Sequence, residues 1–454
     1  MTLEPQNDRL VNGLLKADVG LQTPEQVQAR LSQNLLIRVD PSRSGSDDLW
    51  PCVWFLASIL ERQFFGTIFI SAGRTSPLLS PTDLGSRCVF VDAGFVHNGL
   101  VVGIGAEVEG EHPIWGDAKG PNIAYQSLVN DPGCASAVSC CSLAGYLGFA
   151  ALAHAAGIPS FHGAWTQKFL ALPLVNLLAP IPRNIGVLGV GQIGQAFLSL
   201  AFFLAAQQPM EVHLVDDDIF EVPNYRAQLL LSENSESWVD KPKVEFLAVI
   251  CKRWGWNVTK ERTRITWGWK NPLGAHSVAF LGFDNMEARR VGVEAGFAWL
   301  VECGVGTDFS KPHVSWHSLP PDRRVAKELF VESVSPLRIT SLDSDFLRRL
   351  DDTPGGCGRV TFENIQAAAP CLGALAAAFA WVEMINYSAG ELQTISAGAY
   401  AWSPLQPIQR DIILPIEDIA PNCKSAGVTD SSPLTGDEPV QSVEHSIEVR
   451  GSQR

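Results

Sequence analysis

Ten cysteines occur in the 454 residues, yet no two form a C-x-x-C pair, so the four-thiolate spacing of a structural zinc site is missing. None of the nine histidines stands in H-E-x-x-H, which removes support for hydrolytic zinc chemistry of that type. Basic charge is scarce as well. Thirty-four Lys and Arg against 48 Asp and Glu leave a formal charge of −14, and an acidic face repels nucleic acid and anionic membrane alike. Two apolar runs fall short of a clean membrane span: Phe169–Pro182 carries Pro173, Asn176 and Pro180, while Ala367–Val382 carries Pro370 and is short. Both are expected to be buried core. The opening residues Met-Thr-Leu-Glu-Pro lack the basic and apolar regions of a secretory signal. The expectation is therefore a cytoplasmic protein whose thiols are mostly small buried apolar groups.

What is present is a chain rich enough in apolar residues to fold twice, with 46% hydrophobic and 18% charged residues. Residues 1–45 are polar and helix-prone and end in Pro41-Ser42-Arg43-Ser44-Gly45-Ser46, which reads as an arm or linker. Residues 46–180 combine a helix at Val53–Gln63, β-type runs at Thr67–Ile70, Cys88–Val91 and Leu100–Ile104, and an Ala-rich helix ending at Gly157. This half has no phosphate loop. Residues 181–420 alternate strand and helix: Ile185–Leu188, a helix from Gln192, Glu211–Val215, a helix from Pro242, Val278–Phe283, a helix to about Trp299, then Leu300–Gly304. A charged, irregular stretch at 320–365 precedes an Ala-rich helix at Ile365–Tyr387 and β-type runs at Thr394–Pro415. Residues 421–454 hold too little apolar content to fold alone. The order predicts an α/β fold, with a doubly wound, mostly parallel Rossmann-like sheet and a second, degenerate α/β half at the N-terminus. A faint repeat supports two related halves. Pro132-Gly133-Cys134 and Pro354-Gly355-Gly356-Cys357 each precede an Ala-rich helix.

The chemistry concentrates in the second half. Gly189-Val190-Gly191-Gln192-Ile193-Gly194 lies between an apolar strand and a helix, where glycines let backbone amides approach phosphate. Asp216 ends the next strand, at the place where a carboxylate accepts from ribose hydroxyls. These features define a nucleotide-binding unit and leave NAD and ATP both open. The following residues separate the two: Asp216-Asp217-Asp218, Asn224-Tyr225-Arg226-Ala227-Gln228 and Lys241-Pro242-Lys243 add charge that hydride transfer has no use for. Joining a carboxylate to an α-phosphate builds negative charge, which Arg226 and Lys243 would offset. Asp284, following Val278–Phe283, would help to hold magnesium, or would instead cap the next helix.

This pattern resembles the adenylation domain of the ubiquitin-activating-enzyme-like (ThiF-type) superfamily. That domain reads strand, G-x-G-x-x-G, helix, strand, D-x-D, N-x-x-R-Q, K, then strand-D with an Arg five residues on. The matching positions are Gly189, Gly191 and Gly194, Asp216 and Asp218, Asn224 with Arg226 and Gln228, Lys243, and Asp284 with Arg289, covering about 183–390. Asn224-Tyr225-Arg226-Ala227-Gln228 departs from the family spacing, and Asp240 stands where a glycine often precedes the Lys. The missing C-x-x-C pairs direct the resemblance to zinc-free bacterial activators of ubiquitin-like proteins.

The resemblance implies ATP and Mg2+ as cofactors, with a ubiquitin-like protein and a ubiquitin-conjugating-enzyme-like protein as partners. It leaves a homodimer open, and the acidic net charge argues against nucleic acid and membrane as partners. The resemblance also implies an Arg reaching ATP from the opposing half or protomer, for which Arg30, Arg38 and Arg62 are options, and a thioester-forming thiol. Cys357, flanked by glycines, is the foremost choice for that thiol, ahead of Cys371 and Cys303. Two other readings compete: an NAD-dependent oxidoreductase, resting on the glycine loop and Asp216 alone, and a catalytically silent nucleotide-binding scaffold.

Overall fold

The computed structural model describes residues 8–414 except 18–19, 44–46, 73–83, 106, 110–113, 120–121, 125–133, 159–179, 206–207, 232–235, 307–308, 310–312, 320–343, 346–347, 349–367, 391–392 and 401–402. Fourteen strands and eight α-helices are described. In the first half these are α1 (Arg9–Lys16), α2 (Pro24–Leu31), β1 (Leu35–Val39), α3 (Trp50–Gln63), β2 (Ile68–Ser71), β3 (Cys88–Val91), β4 (Leu100–Ile104), β5 (Ile114–Lys119), β6 (Asn122–Ala124) and α4 (Ala137–Ala156). In the second they are β7 (Asn184–Leu188), α5 (Gln192–Ala205), β8 (Glu211–Val215), α6 (Lys243–Arg253), β9 (Asn257–Glu261), β10 (Val278–Leu281), α7 (Met286–Val293), β11 (Trp299–Val305), β12 (His313–Leu319), α8 (Pro370–Ala389), β13 (Gln393–Tyr400) and β14 (Ser403–Leu414).

The strands form two sheets. One runs β3-β2-β1-β4-β5-β6 and the other β14-β13-β12-β11-β10-β7-β8-β9. In each, the first strand is central, the second and third lie to one side, and the fourth and fifth lie parallel on the other. An antiparallel sixth strand follows in both. The shared order gives the faint repeat in the sequence a structural counterpart, and the α/β expectation holds.

Helix ends follow local chemistry. Ser136 and Ser139 form a reciprocal capping box at the start of α4, and Gly157 closes it in the left-handed conformation at φ 75°. Pro370 opens α8, where its missing N–H costs nothing, and Gly390 closes it at φ 74°. These two helices are long and apolar enough to cross a membrane by length and composition, but 89% of each apolar window is buried inside the protein. They pack on one another, with α3 against α4 and α5 against α8, as a helical layer shared by both halves. A Cβ on Gly145 would lie 2.7 Å from Leu375 Cγ, so α4 approaches α8 as closely as it does only through glycine.

Three expectations are corrected. Residues 8–43 are no arm: β1 lies inside the first sheet with Leu35, Leu36 and Ile37 fully buried, α2 packs on α4, and α1 packs on α2 and on Val222–Arg226 of the second half. A five-residue stretch with four apolar residues, Leu35, Leu36, Ile37 and Val39, after polar helices was enough to make a central strand. The helix expected to reach Trp299 stops at Val293, and Trp299 begins β11, where β-type Trp299-Leu300-Val301 pairs with β10. The strand expected to reach Phe283 ends at Leu281, freeing 282–285 as a loop. Most of the Phe169–Pro182 run, most of 320–365 and the 421–454 tail lie outside the described residues.

Candidate functional site

Between β7 and β10 the chain order reverses, since β8 is added on one side of β7 and β10 on the other. Crevices at such a reversal, beyond the carboxyl ends of parallel strands, are where open α/β sheets bind ligands. The glycine loop lies there. Gly189 has φ 86°, and a Cβ on it would lie 2.8 Å from Gly282 C and Phe283 N, so only glycine allows the two strand-end loops to touch. Gly282 N donates to the Leu188 carbonyl at 2.7 Å, fixing the contact. Helix α5 starts at Gln192, so its positive N-terminal end faces the crevice. Gly194 packs against the Gly189 carbonyl, and no atom lies within 4 Å of a Cβ built on Gly191.

Asp216 ends β8 beside this loop. Its Oδ2 accepts from Val190 N at 2.8 Å and its Oδ1 from Asp218 N at 2.9 Å. Burial pushes its carboxyl above the usual range, against the opposing pull of Lys243 and the two amides. Lys243, at the start of α6, has a buried side chain whose Nζ lies 2.6 Å from Asp218 Oδ2, while its backbone N donates to the Asp218 carbonyl at 3.0 Å. The Asp218 side chain is 64% exposed. Lys241 is exposed, which leaves Lys243 as the lysine built into the crevice. Asp240 adopts φ 60°, the left-handed conformation that explains why glycine is common at this point of the pattern.

Asp284 is exposed in the loop after β10, and the helix-capping role falls instead to Asn285, whose Oδ1 accepts from Glu287 N and Ala288 N. The Asp284 carboxylate is thus left available. Among the described residues, Asp216, Asp217 and Asp218 form the one group of three or more metal-type ligands, their oxygens within 4.8 Å of one another. Hard carboxylate oxygens of this kind suit magnesium, which takes one or two protein carboxylates and completes its shell with phosphate and water.

The segment 222–228 is a correction. Arg226 does not face the crevice as a phosphate ligand. It is 3% exposed, its Nε donates to Asp8 Oδ2 at 3.1 Å, its two terminal nitrogens donate to the Phe64 and Gln63 carbonyls, and it lies 4.1 Å over the Phe65 ring. All of these partners belong to the first half. The irregular Asn-x-Arg spacing is the physical reason, since Ala227 occupies the position directly before Gln228. Asn224 accepts from Glu221 N, and Gln228 bonds to Gln195, so both of these buried residues are also engaged internally. Arg62, named as an option for the crossing arginine, does cross the halves. Its guanidinium donates to the carbonyls of Gln228, Leu229 and Leu231 and not toward the loop. Arg30 is exposed on α2 and Arg38 is half-buried on β1.

Cys357 lies outside the described residues. Cys303 and Cys371 are fully buried, and burial raises both thiols, Cys371 to about 12, as expected of packing cysteines. Sequence reasoning missed Glu302, fully buried on β11; a lone acid inside the apolar run Leu300–Cys303 was its available signal.

Residues 181–391 match the family model described as the BilD C-terminal domain. The chain is 27% identical over 211 residues to the bacterial E1-like protein BilD of Collimonas sp. (strain OK412), a stretch covering 46% of this chain and 45% of that protein. The chain thus matches less than half the length of this curated relative. Among solved structures, E. coli MccB with MccA-N7isoASN aligns at TM-score 0.33 and 16% identity, over 49% of this chain and 62% of that one. PaaA aligns at 0.35 and 15%, over 51% and 64%.

Proposed function

We propose that this protein adenylates the C-terminal carboxylate of a ubiquitin-like protein at the expense of ATP. The observation that carries the reading is the convergence, at one reversal point of the sheet, of a phosphate-approaching glycine loop, a buried ribose-type acid, a buried lysine and an uncapped carboxylate. A redox enzyme has no use for the last two. The match of 181–391 to the BilD C-terminal domain model, together with the likeness to the E1-like protein BilD, points the same way.

In this reading a carboxylate oxygen of the partner bonds to the α-phosphorus while the bond to pyrophosphate breaks. The amides at Gly189–Gln192 and the α5 N-terminus receive phosphate oxygens, and Asp216 receives the ribose. Lys243 is held by a single solvent-facing carboxylate, Asp218, so a triphosphate can draw its ammonium over as negative charge develops. Magnesium would neutralise phosphate charge, with Asp284 as its protein ligand. Arg226 supports the site from behind and takes no phosphate. The acyl group would then pass from AMP to the Cys357 sulfur, releasing AMP, and onward to a thiol of a conjugating-enzyme-like partner. Cys303 and Cys371 are too buried for that step.

ATP–pyrophosphate exchange with a ubiquitin-like partner present tests the reading. Exchange should require the partner, and both Asp284→Ala and Lys243→Ala should lower it by about 100-fold or more, the usual cost of removing a transition-state charge partner. Cys357→Ala should leave exchange intact and remove the reducible adduct. Exchange that persists in Asp284→Ala would overturn the magnesium assignment; tight NADH binding without ATP binding would overturn the whole reading.

A further inference from the structure

Beside the loop that carries Asp284 lies a charged group that adenylation does not itself use. Glu302 on β11 is fully buried, yet each of its oxygens lies against a nitrogen of a neighbouring side chain. Oε1 lies 2.9 Å from Arg289 Nη1, and Oε2 lies 2.6 Å from Nδ1 of His317, its cross-strand neighbour on β12. Arg289 is on α7, and its Nε donates to the Phe283 carbonyl at 2.6 Å. The flanking residue Asn285 is fixed on the other side by capping α7. Asp284 therefore sits between two anchored residues, one of them held by a relay that starts at Glu302. Leu281, the register neighbour of Glu302 on β10, belongs to the apolar core.

Stability alone is a poor reason for this arrangement. A buried ion pair recovers little more than its own desolvation, and an apolar replacement of the same shape is often as stable. What such a network does supply is fixed geometry, as the groups behind a metal ligand do when they orient it. We propose that Glu302, acting through Arg289, is a positioning residue that sets the 283–285 loop and so aims the Asp284 carboxylate at a divalent cation brought in with nucleoside triphosphate. The nature of the ligand rests on the adenylation reading; the relay itself does not. His317, 15% exposed, secures the second oxygen of Glu302.

The experiment uses the full chain with Glu302→Gln, Arg289→Lys, His317→Gln and Asp284→Asn. Two readouts are taken: hydrogen exchange over 283–288, and Mn2+ binding with a non-hydrolysable ATP analogue, followed by electron paramagnetic resonance. Glu302→Gln and Arg289→Lys should speed exchange over 283–288 while sparing 189–192, and should weaken Mn2+ binding about tenfold, the lower end of the usual effect of groups that orient a metal ligand. Arg289→Lys keeps the charge and loses the Nε donor, so it isolates the relay from simple charge loss. His317→Gln should act in the same direction more weakly and, being partly exposed, serves if Glu302→Gln fails to fold. Unchanged exchange over 283–288 in both Arg289→Lys and the Glu302 or His317 variant would overturn the positioning role whatever the ligand. Faster exchange with unchanged Mn2+ affinity would overturn its connection to the cation. If Asp284→Asn also binds Mn2+ normally, Asp284 is no metal ligand and that part of the proposal falls with it.

Discussion

The two halves share one strand order and differ most where that order reverses. In the second half three residues, 189–191, join β7 to α5, and they are the glycine loop. In the first half ten residues, 40–49, join β1 to α3. From that longer stretch Arg43 enters the fold, bonds to Asp117 and the Ala118 carbonyl, pairs with Asp48, and packs at Gly105, the residue after β4. The corresponding crevice thus holds a cation of the protein's own, satisfied by its own carboxylates. The same topology can present bare backbone amides to a ligand or close over a side chain, and the length of a single loop separates the outcomes.

Three changes would break or sharpen this comparison. The largest effect is expected at the joint. Arg226→Ala leaves Asp8, 1% exposed, without its cation and should cost about 3–5 kcal/mol in urea unfolding, the usual penalty for orphaning one partner of a buried pair. Asp8→Asn should cost less, and the double variant less than the sum of the two. Additive losses would show that the two residues are not one device. Next comes Arg43→Ala, which removes the arginine from the fully buried Asp117 and should cost about 3 kcal/mol while leaving nucleotide affinity in the second half unchanged, as read by titration with an ATP analogue. A drop in affinity would mean that the first crevice is coupled to the second. The smallest is Asp240→Gly. Relief of the left-handed backbone, set against a freer unfolded chain, should raise stability by about 0.5 kcal/mol without touching exchange.

Local features were the legible ones. The glycine loop, Asp216 and Lys243 could be placed from sequence because each follows directly from a strand end or opens a helix, and Asp284 because it lies in the short loop between β10 and α7, so a few adjacent residues determine each position. Strands such as Cys88–Val91, Leu100–Ile104 and Glu211–Val215 matched to the residue for the same reason. What failed was contact at a distance. Arg226 meets Asp8 218 residues away, and Arg62 meets Gln228 166 residues away, so neither spacing nor periodicity carries any trace of the joint. The first strand was hidden by its polar flanks, and Glu302 by the apolar company that makes it informative.

The close approach of α4 to α8 has a consequence for how the molecule comes apart. Each helix buries one flank against its own half and another against its counterpart, so neither half owns a complete core. Pulling the halves apart would expose two long apolar helices to water at once, and partial unfolding would gain little chain entropy for that exposure. Heating should therefore melt the described fold in a single cooperative transition, with van't Hoff and calorimetric enthalpies in agreement, in place of the two steps that a pair of tethered domains would give.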